Sequence, residues 1–373
     1  MCINLVGGVD GLSVLVPFAD RAYAGRRPGL AIGGPGERYG AIDLGRGLGL
    51  HPALAPLHRA VGRSDRLAVI AGVGVPDRQG GDRNHVPSRE FLHRGGRNQF
   101  EGWATRLLRF EGMGAEEVWS FGDGPHPMFE GLADRRVERV RPVHARSQAA
   151  CAGVAPAGRC REERGLVDST GGDGGPVRWS RAEWRSPADR LARGYPEGQL
   201  GRSLAAVVDM RRSGAGPRLV AIDHSGYDTH VDQGDGRSGV LAHKLDRLAR
   251  ALAAFWTEID QIRGGAGGVD ATGDDDPVTV VVVSEFGRAI EENGSGGTEH
   301  GRGGVALALG DRVVGGVHGD LPSLVDDEVW EVGIDVRRVL ADAVTCHGFH
   351  PWRGAVFPGL PLPNRSLGLL LSP

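Results

Sequence analysis

Two stretches of this chain concentrate side chains that bind cations. One is Asp223–His230, reading Asp-His-Ser-Gly-Tyr-Asp-Thr-His; the other runs from Ser284-Glu285-Phe286-Gly287-Arg288 to Glu299-His300-Gly301. Carboxylates and imidazoles together are the ligand set of zinc and other divalent ions. Asp228 and His230 can converge on one ion if the backbone between them bends, with Asp223 and His224 as supporting groups that orient them. Glu285 directly follows an apolar run, so it is either a ligand at the open edge of a sheet or the partner of Arg288 in a structural ion pair. His300 is surrounded by glycines that let a loop approach an ion closely or offer N–H groups to an anion. Asp10, in Gly7-Gly8-Val9-Asp10-Gly11, is a further candidate ligand, or a turn aspartate bonded to its own backbone.

A second kind of chemistry is suggested around Asn84-His85, just before an expected helix. Free N–H groups at a helix start attract anions. Arg78, Arg83, Arg89 and Arg288 could add charge-assisted bonds to a phosphate or sulfate, and His85 could serve as proton donor, ligand or plain cap. Ser88 has no nucleophile elbow around it, and there is neither a Walker loop nor a paired C-x-x-C motif. The other histidines, His93 and His126 among them, are too scattered to assign.

The elements that must position these residues alternate. Ile3–Gly7, Leu67–Ala71, Leu219–Ile222, Val278–Val283 and Val305–Leu309 read as strands, with Leu12–Val16 as a further extended piece. Val278–Val283 is continuously apolar, as expected for a central parallel strand covered on both sides. Helical spacing marks Pro52–Val61, Ser88–His93, Trp103–Phe110 and Val336–Val344, and a long stripe runs through Leu241, Leu245, Leu248, Leu252, Phe255, Ile259 and Ile262. The stripe is core packing. Strands alternating with helices predict a three-layer α/β domain with a mostly parallel sheet, whose strand ends at one edge form the ligand site. The glycine-rich segment 151–185 lacks periodic apolar positions and reads as an insertion or lid.

At 373 residues and 40% hydrophobic content the chain can bury a large core. A net charge of −3, with arginines interspersed among acids, argues against a nucleic-acid binder. The four cysteines, Cys2, Cys151, Cys160 and Cys346, form no metal motif, although a Cys151–Cys160 disulfide stays open. No apolar run approaches the ~20 residues of a membrane helix, and no signal core follows the N-terminus, which predicts a soluble, cytoplasmic protein without a membrane partner.

These motifs, in this order, resemble the bacterial family catalogued as domain of unknown function 1501, within the alkaline phosphatase and sulfatase superfamily. The resemblance rests on Gly7-Gly8-Val9-Asp10-Gly11-Leu12, Asn84-His85, Tyr227-Asp228-Thr229-His230, Ser284-Glu285-Phe286-Gly287-Arg288 and Thr298-Glu299-His300-Gly301, and spans nearly the whole chain. It implies an alkaline-phosphatase-like fold and a divalent metal ion, zinc, magnesium or manganese. The ligands carried over by motif are Asp10, Asp228, His230, Glu285 and His300. Asn84 stands where the family tends to have serine, Phe286 where active superfamily members commonly have histidine, and Glu299 where aspartate is usual.

The expected function is a metal-dependent enzyme acting on a phosphorylated or sulfated small molecule by hydrolysis or group transfer. His85 and Arg83 would stabilise developing charge and Asn84 would donate a hydrogen bond to it. Because Asn84 lacks a nucleophilic hydroxyl, two alternatives accompany this: ionisation of a phosphate or diphosphate leaving group in specialised biosynthesis, and a degenerate protein that only binds an anion.

Overall fold

Apolar, β-branched stretches assemble into one eight-stranded sheet, seen in a computed structural model that describes residues 1–61, 65–76, 83–114, 117–121, 126–132, 187–214, 216–264, 276–351, 356–361 and 367–369. The segment 151–185 with its two cysteines, and Arg78, lie outside the described residues. Across the sheet the order is β12 (Gly316–His318), β5 (Leu67–Gly74), β11 (Gly304–Gly310), β8 (Thr279–Ser284), β1 (Cys2–Val6), β7 (Leu219–Ser225) and β6 (Val118–Phe121), with β13 (Ile334–Asp335) also on β5. Every strand pair is parallel except those of β11, which runs against both β5 and β8. The expected strand at Val305–Leu309 is therefore present but reversed, and Val278–Val283 is parallel to a neighbour on one side only.

Alternation sends Ile3, Leu5, Val69 and Ile222 to one face, where they join a core with Leu245, Leu248 and Leu252 of α8 (Val240–Arg263). Cys2, Ile70, Ala221 and Val281 point the other way, into a core with Phe91 and Leu92 of α4 (His85–Arg94), Leu107 of α5 (Trp103–Glu111) and Leu340 of α9 (Val336–Thr345). Each buried leucine of the α8 stripe contributes about 1.5–3 kcal/mol relative to exposure. The helix α7 (Gln199–Arg212) and the strand β6 are present without having been expected.

Smaller pieces complete the scaffold. Leu12–Val16 is not one extended segment: the Asp10 carbonyl accepts from the N–H groups of Ser13 and Val14, closing a helical turn, α1 (Gly11–Val14), before β2 (Leu15–Val16). Strand β2 joins β4 (Leu48–Leu50) and β3 (Ile42–Gly45) in a small antiparallel sheet. The hairpin β9 (Arg288–Glu292) and β10 (Thr298–His300) lies between β8 and β11 in the chain. Helices α2 (Arg21–Arg26), α3 (Ala55–Val61) and α6 (Pro187–Ala192) fill the remaining positions. Among the described residues no helix is long and apolar enough to cross a membrane.

Burial gives the fold a pH signature. It pushes His51, His224 and His347 down to about 4 each, against about 6.5 in an unfolded chain. Between those values the unfolded chain takes up protons that the folded one refuses, so stability is complete above about pH 6.5 and falls as pH drops toward 4. The urea midpoint should be clearly lower at pH 5 than at pH 7; equal midpoints would contradict the buried neutral imidazoles.

Candidate metal centre

The parallel strands β1, β7 and β8 end level with one another, Val6 opposite Ser225 and Leu5 opposite Ser284. The polypeptide beyond each end therefore meets at one rim. Gly7 and Gly8 permit the closeness: both have positive φ, 127° and 75°, and a Cβ on either would fall 2.3 Å from Asp228 N or the Phe286 ring, respectively. Strand β11 starts at the same rim because it is reversed, so the loop before it delivers His300 there as well. Helix α4 supplies His85, its start fixed by Asn84, whose side-chain oxygen accepts the Val86 N–H at 3.1 Å. That cap is why the helix begins at His85 and not at Ser88.

Three imidazoles surround Asp228, and each is oriented by an oxygen on its Nδ1. His85 Nδ1 lies 3.0 Å from Glu285 Oε1, His300 Nδ1 2.8 Å from the Arg83 carbonyl, and His230 Nδ1 3.2 Å from Glu299 Oε2. A carbonyl or carboxylate can only accept, so each neutral ring carries its proton on Nδ1 and turns an Nε2 lone pair inward. His230 Nε2 and His300 Nε2 stand 3.2 and 3.4 Å from Asp228 Oδ1, and His85 Nε2 is 3.5 Å from Oδ2. His85 Nε2 is buried and has no hydrogen-bond partner.

The two lone pairs of His230 and His300 face each other across 2.9 Å. With both lone pairs turned inward a cation must lie between them; without one, a ring carries its proton on Nε2 and donates it to the other. An Nδ1–H tied to an oxygen with Nε2 free is how metal-binding histidines are held. The donor atoms of His85, Asp228 and His300 all lie within 4.8 Å of one another, a spread that fits around one ion. The residues present thus fit a divalent cation.

Charge supports the arrangement. Burial opposes ionisation of Asp228, but the Arg288 guanidinium and the nearby His85 and His230 outweigh it and hold the carboxyl below its ordinary range. Burial, with the charges of Arg288 and His85, pushes His300 down, which keeps its lone pair free.

Other expected site residues take different places. Glu285 is fully buried; its Oε1 lies 2.8 Å from the Gly7 N–H and 3.0 Å from His85 Nδ1, so it orients that ring, while its Oε2 has no hydrogen-bond partner. Arg288 is also buried; it donates to the carbonyls of Gly7, Gly8, Tyr227 and Thr298 and to Asp228, which leaves it no path to a substrate. Both its roles in the sequence reading are resolved: it is structural, and its acidic partner is Asp228.

Asp10 is occupied elsewhere. Arg27 grips it with two nitrogens at 2.5 and 3.0 Å, while Ser13 and Gln233 donate at 2.7 and 2.6 Å. A guanidinium neutralises Asp10 where a metal ion was expected to do so. Burial raises its pKa, yet Arg27, Ser13 and Gln233 together bring it below the usual range. Arg83 and Asn84 are exposed beside the cluster, and Arg89 is half-buried on α4.

Sequence reasoning missed a second group of His and Asp, His93, His126 and Asp223, whose donor atoms also lie within 4.8 Å of one another. The available signal was His93 following Phe91-Leu92 on the apolar face of α4, an imidazole where the helix buries itself.

No curated protein matches the chain. Residues 190–354, which carry Asp228, His230, Glu285 and His300 but neither Asp10 nor His85, match the model of the family described as Protein of unknown function (DUF1501).

Proposed function

We propose that this protein is a metal-dependent enzyme of alkaline-phosphatase-like, three-layer fold that acts on a phosphorylated or sulfated small molecule by hydrolysis or group transfer. The observation that carries the reading is the convergence of three Nε2 lone pairs, from His85, His230 and His300, on the Asp228 carboxylate. Those four side chains would hold the ion, with Glu285, Glu299 and the Arg83 carbonyl keeping the rings in position. A divalent ion so held supplies charge that polarises an anionic ester group and lowers the pKa of water.

Asn84 offers no hydroxyl, so the chain has no covalent acceptor at the start of α4. The group therefore passes directly to water or to an acceptor hydroxyl. A new bond to phosphorus or sulfur forms as the ester bond breaks, and the proton lost by the attacking oxygen ends on the leaving one. Asn84 has its oxygen committed to Val86 N–H, which leaves its NH2 to donate to the transferring group. Arg83 adds the exposed cation next to it.

The missing hydroxyl also favours one second reading, ionisation of a phosphate or diphosphate at its carbon–oxygen bond. Protein stripped with a chelator and reloaded with Zn²⁺, Mn²⁺ or Mg²⁺ should turn over members of a panel of phosphate esters, diphosphates and sulfate esters only when loaded. Oxygen from labelled water in the released phosphate or sulfate supports attack at phosphorus or sulfur; label in the organic product supports ionisation. Loaded protein that binds members of the panel without turnover would leave an anion-binding protein in place of an enzyme.

A further inference from the structure

We propose that the chain holds a second divalent cation apart from the first, ligated by His93 of α4, Asp223 of β7 and the side-chain carbonyl of Asn4 on β1, with His126 positioning Asp223. Sheet register puts Asn4 directly opposite Asp223. Its NH2 group lies 3.4 Å from His93 Nε2 and 3.0 Å from Asp223 Oδ1, a weakly positive group wedged between two acceptors where a cation would sit. Asn4 is only 1% exposed, and its Oδ1 has no hydrogen-bond partner.

The tautomers sort the ligands. His93 Nε2 accepts from Asn4, so its lone pair points into the cluster. His126 is the reverse case. Its Nδ1 accepts the Met128 N–H at 3.2 Å, so its proton sits on Nε2, 3.3 Å from Asp223 Oδ1. His126 therefore donates to the carboxylate and cannot bind a metal through Nε2 without losing that proton.

Asn4 completes the site by a half-turn of its amide, which puts Oδ1 in place of the NH2. Without an ion the carbonyl would face a carboxylate and a lone pair, so the amino group turns in; with an ion the preference reverses. One nitrogen and two oxygens suit Mn²⁺, Co²⁺ or Zn²⁺. The Asp223 side chain is 36% exposed and gives a way in. His85 and His93 are eight residues apart on one helix, about 12 Å at 1.5 Å per residue, so the two ions would share no ligand. The first site offers three imidazoles and a carboxylate against one imidazole, one carboxylate and an amide here, so this is the weaker of the two.

The chain stripped of metal and titrated with Mn²⁺, read by calorimetry and electron paramagnetic resonance, should bind two ions. Asp223→Asn and Asn4→Leu should each abolish the weaker ion and change the affinity of the tighter one less than twofold, whereas Asp228→Ala should remove the tighter ion alone. Iron-catalysed oxidation of the unaltered protein, mapped by mass spectrometry, should mark His93 and decides the matter if either variant fails to fold. A single ion per chain that Asp228→Ala removes, retention of both ions in Asp223→Asn, or an unmarked His93 would overturn the proposal. A single ion that Asp223→Asn removes and Asp228→Ala leaves in place would instead count against the first site and the function built on it.

Discussion

Replacing Asp10 by alanine should destabilise the folded protein by about 3–5 kcal/mol, the cost of leaving one half of a buried ion pair unpaired. Arg27 and Asp10 are both buried, and Arg27 also donates to the carbonyls of Ile290 at 2.6 Å and Ala289 at 2.8 Å. In the variant those carbonyls keep their donors, but a guanidinium stays in the interior without its counter-charge. Equilibrium unfolding in urea would show the loss as a lower midpoint at unchanged slope. Because Asp10 has a depressed pKa, its contribution is complete above the ordinary carboxyl range and fades as pH falls through the lower folded value. A loss under about 1 kcal/mol would mean that Arg27 can find water or another partner, and would reopen a ligand role for Asp10.

Asp228→Ala should lower kcat/KM by at least about 10²–10³-fold, the scale seen when a group stabilising developing charge is removed, with a smaller loss of stability than Asp10→Ala. The side chain is 48% exposed, so its removal opens no core cavity and lets water stand in beside the guanidinium of Arg288, which keeps its four backbone carbonyls. Asp228→Asn preserves an acceptor for Arg288 without the negative charge and should fall between wild type and alanine. Activity equal to wild type in both variants would remove the basis for the metal centre.

Residues that act through a short local motif were legible in the sequence. Asp228, His230 and His300 could be picked out because each follows or precedes an apolar strand, and strand ends at one edge of a parallel sheet gather by topology. His85 was legible only as a residue just ahead of a helix, which in fact begins at it. What could not be read were partnerships across the chain. Arg27 sits in Arg26-Arg27-Pro28 like any surface arginine, and nothing local marks it as the counter-ion of Asp10. Arg288 looked free to bind a substrate because its acceptors are mostly main-chain carbonyls, which no side-chain pattern reveals. His93 and His126 touch only because α4 and the 3-10 turn Pro127–Phe129 pack together, with ring centres 4.6 Å apart. The reversal of β11 was hidden for a similar reason: an apolar strand reads the same in either direction.

That reversed strand has an evolutionary consequence. A parallel neighbour after β8 would require the polypeptide to return to the opposite end of the sheet before re-entering. An antiparallel one lets Glu285, the β9–β10 hairpin and His300 form a single excursion that leaves and rejoins the sheet on the same side. Such a cassette is tied to the strand beneath it by Glu285 and Arg288, which hold the backbone of Gly7 and Gly8, so a replacement there must keep both residues to be accommodated.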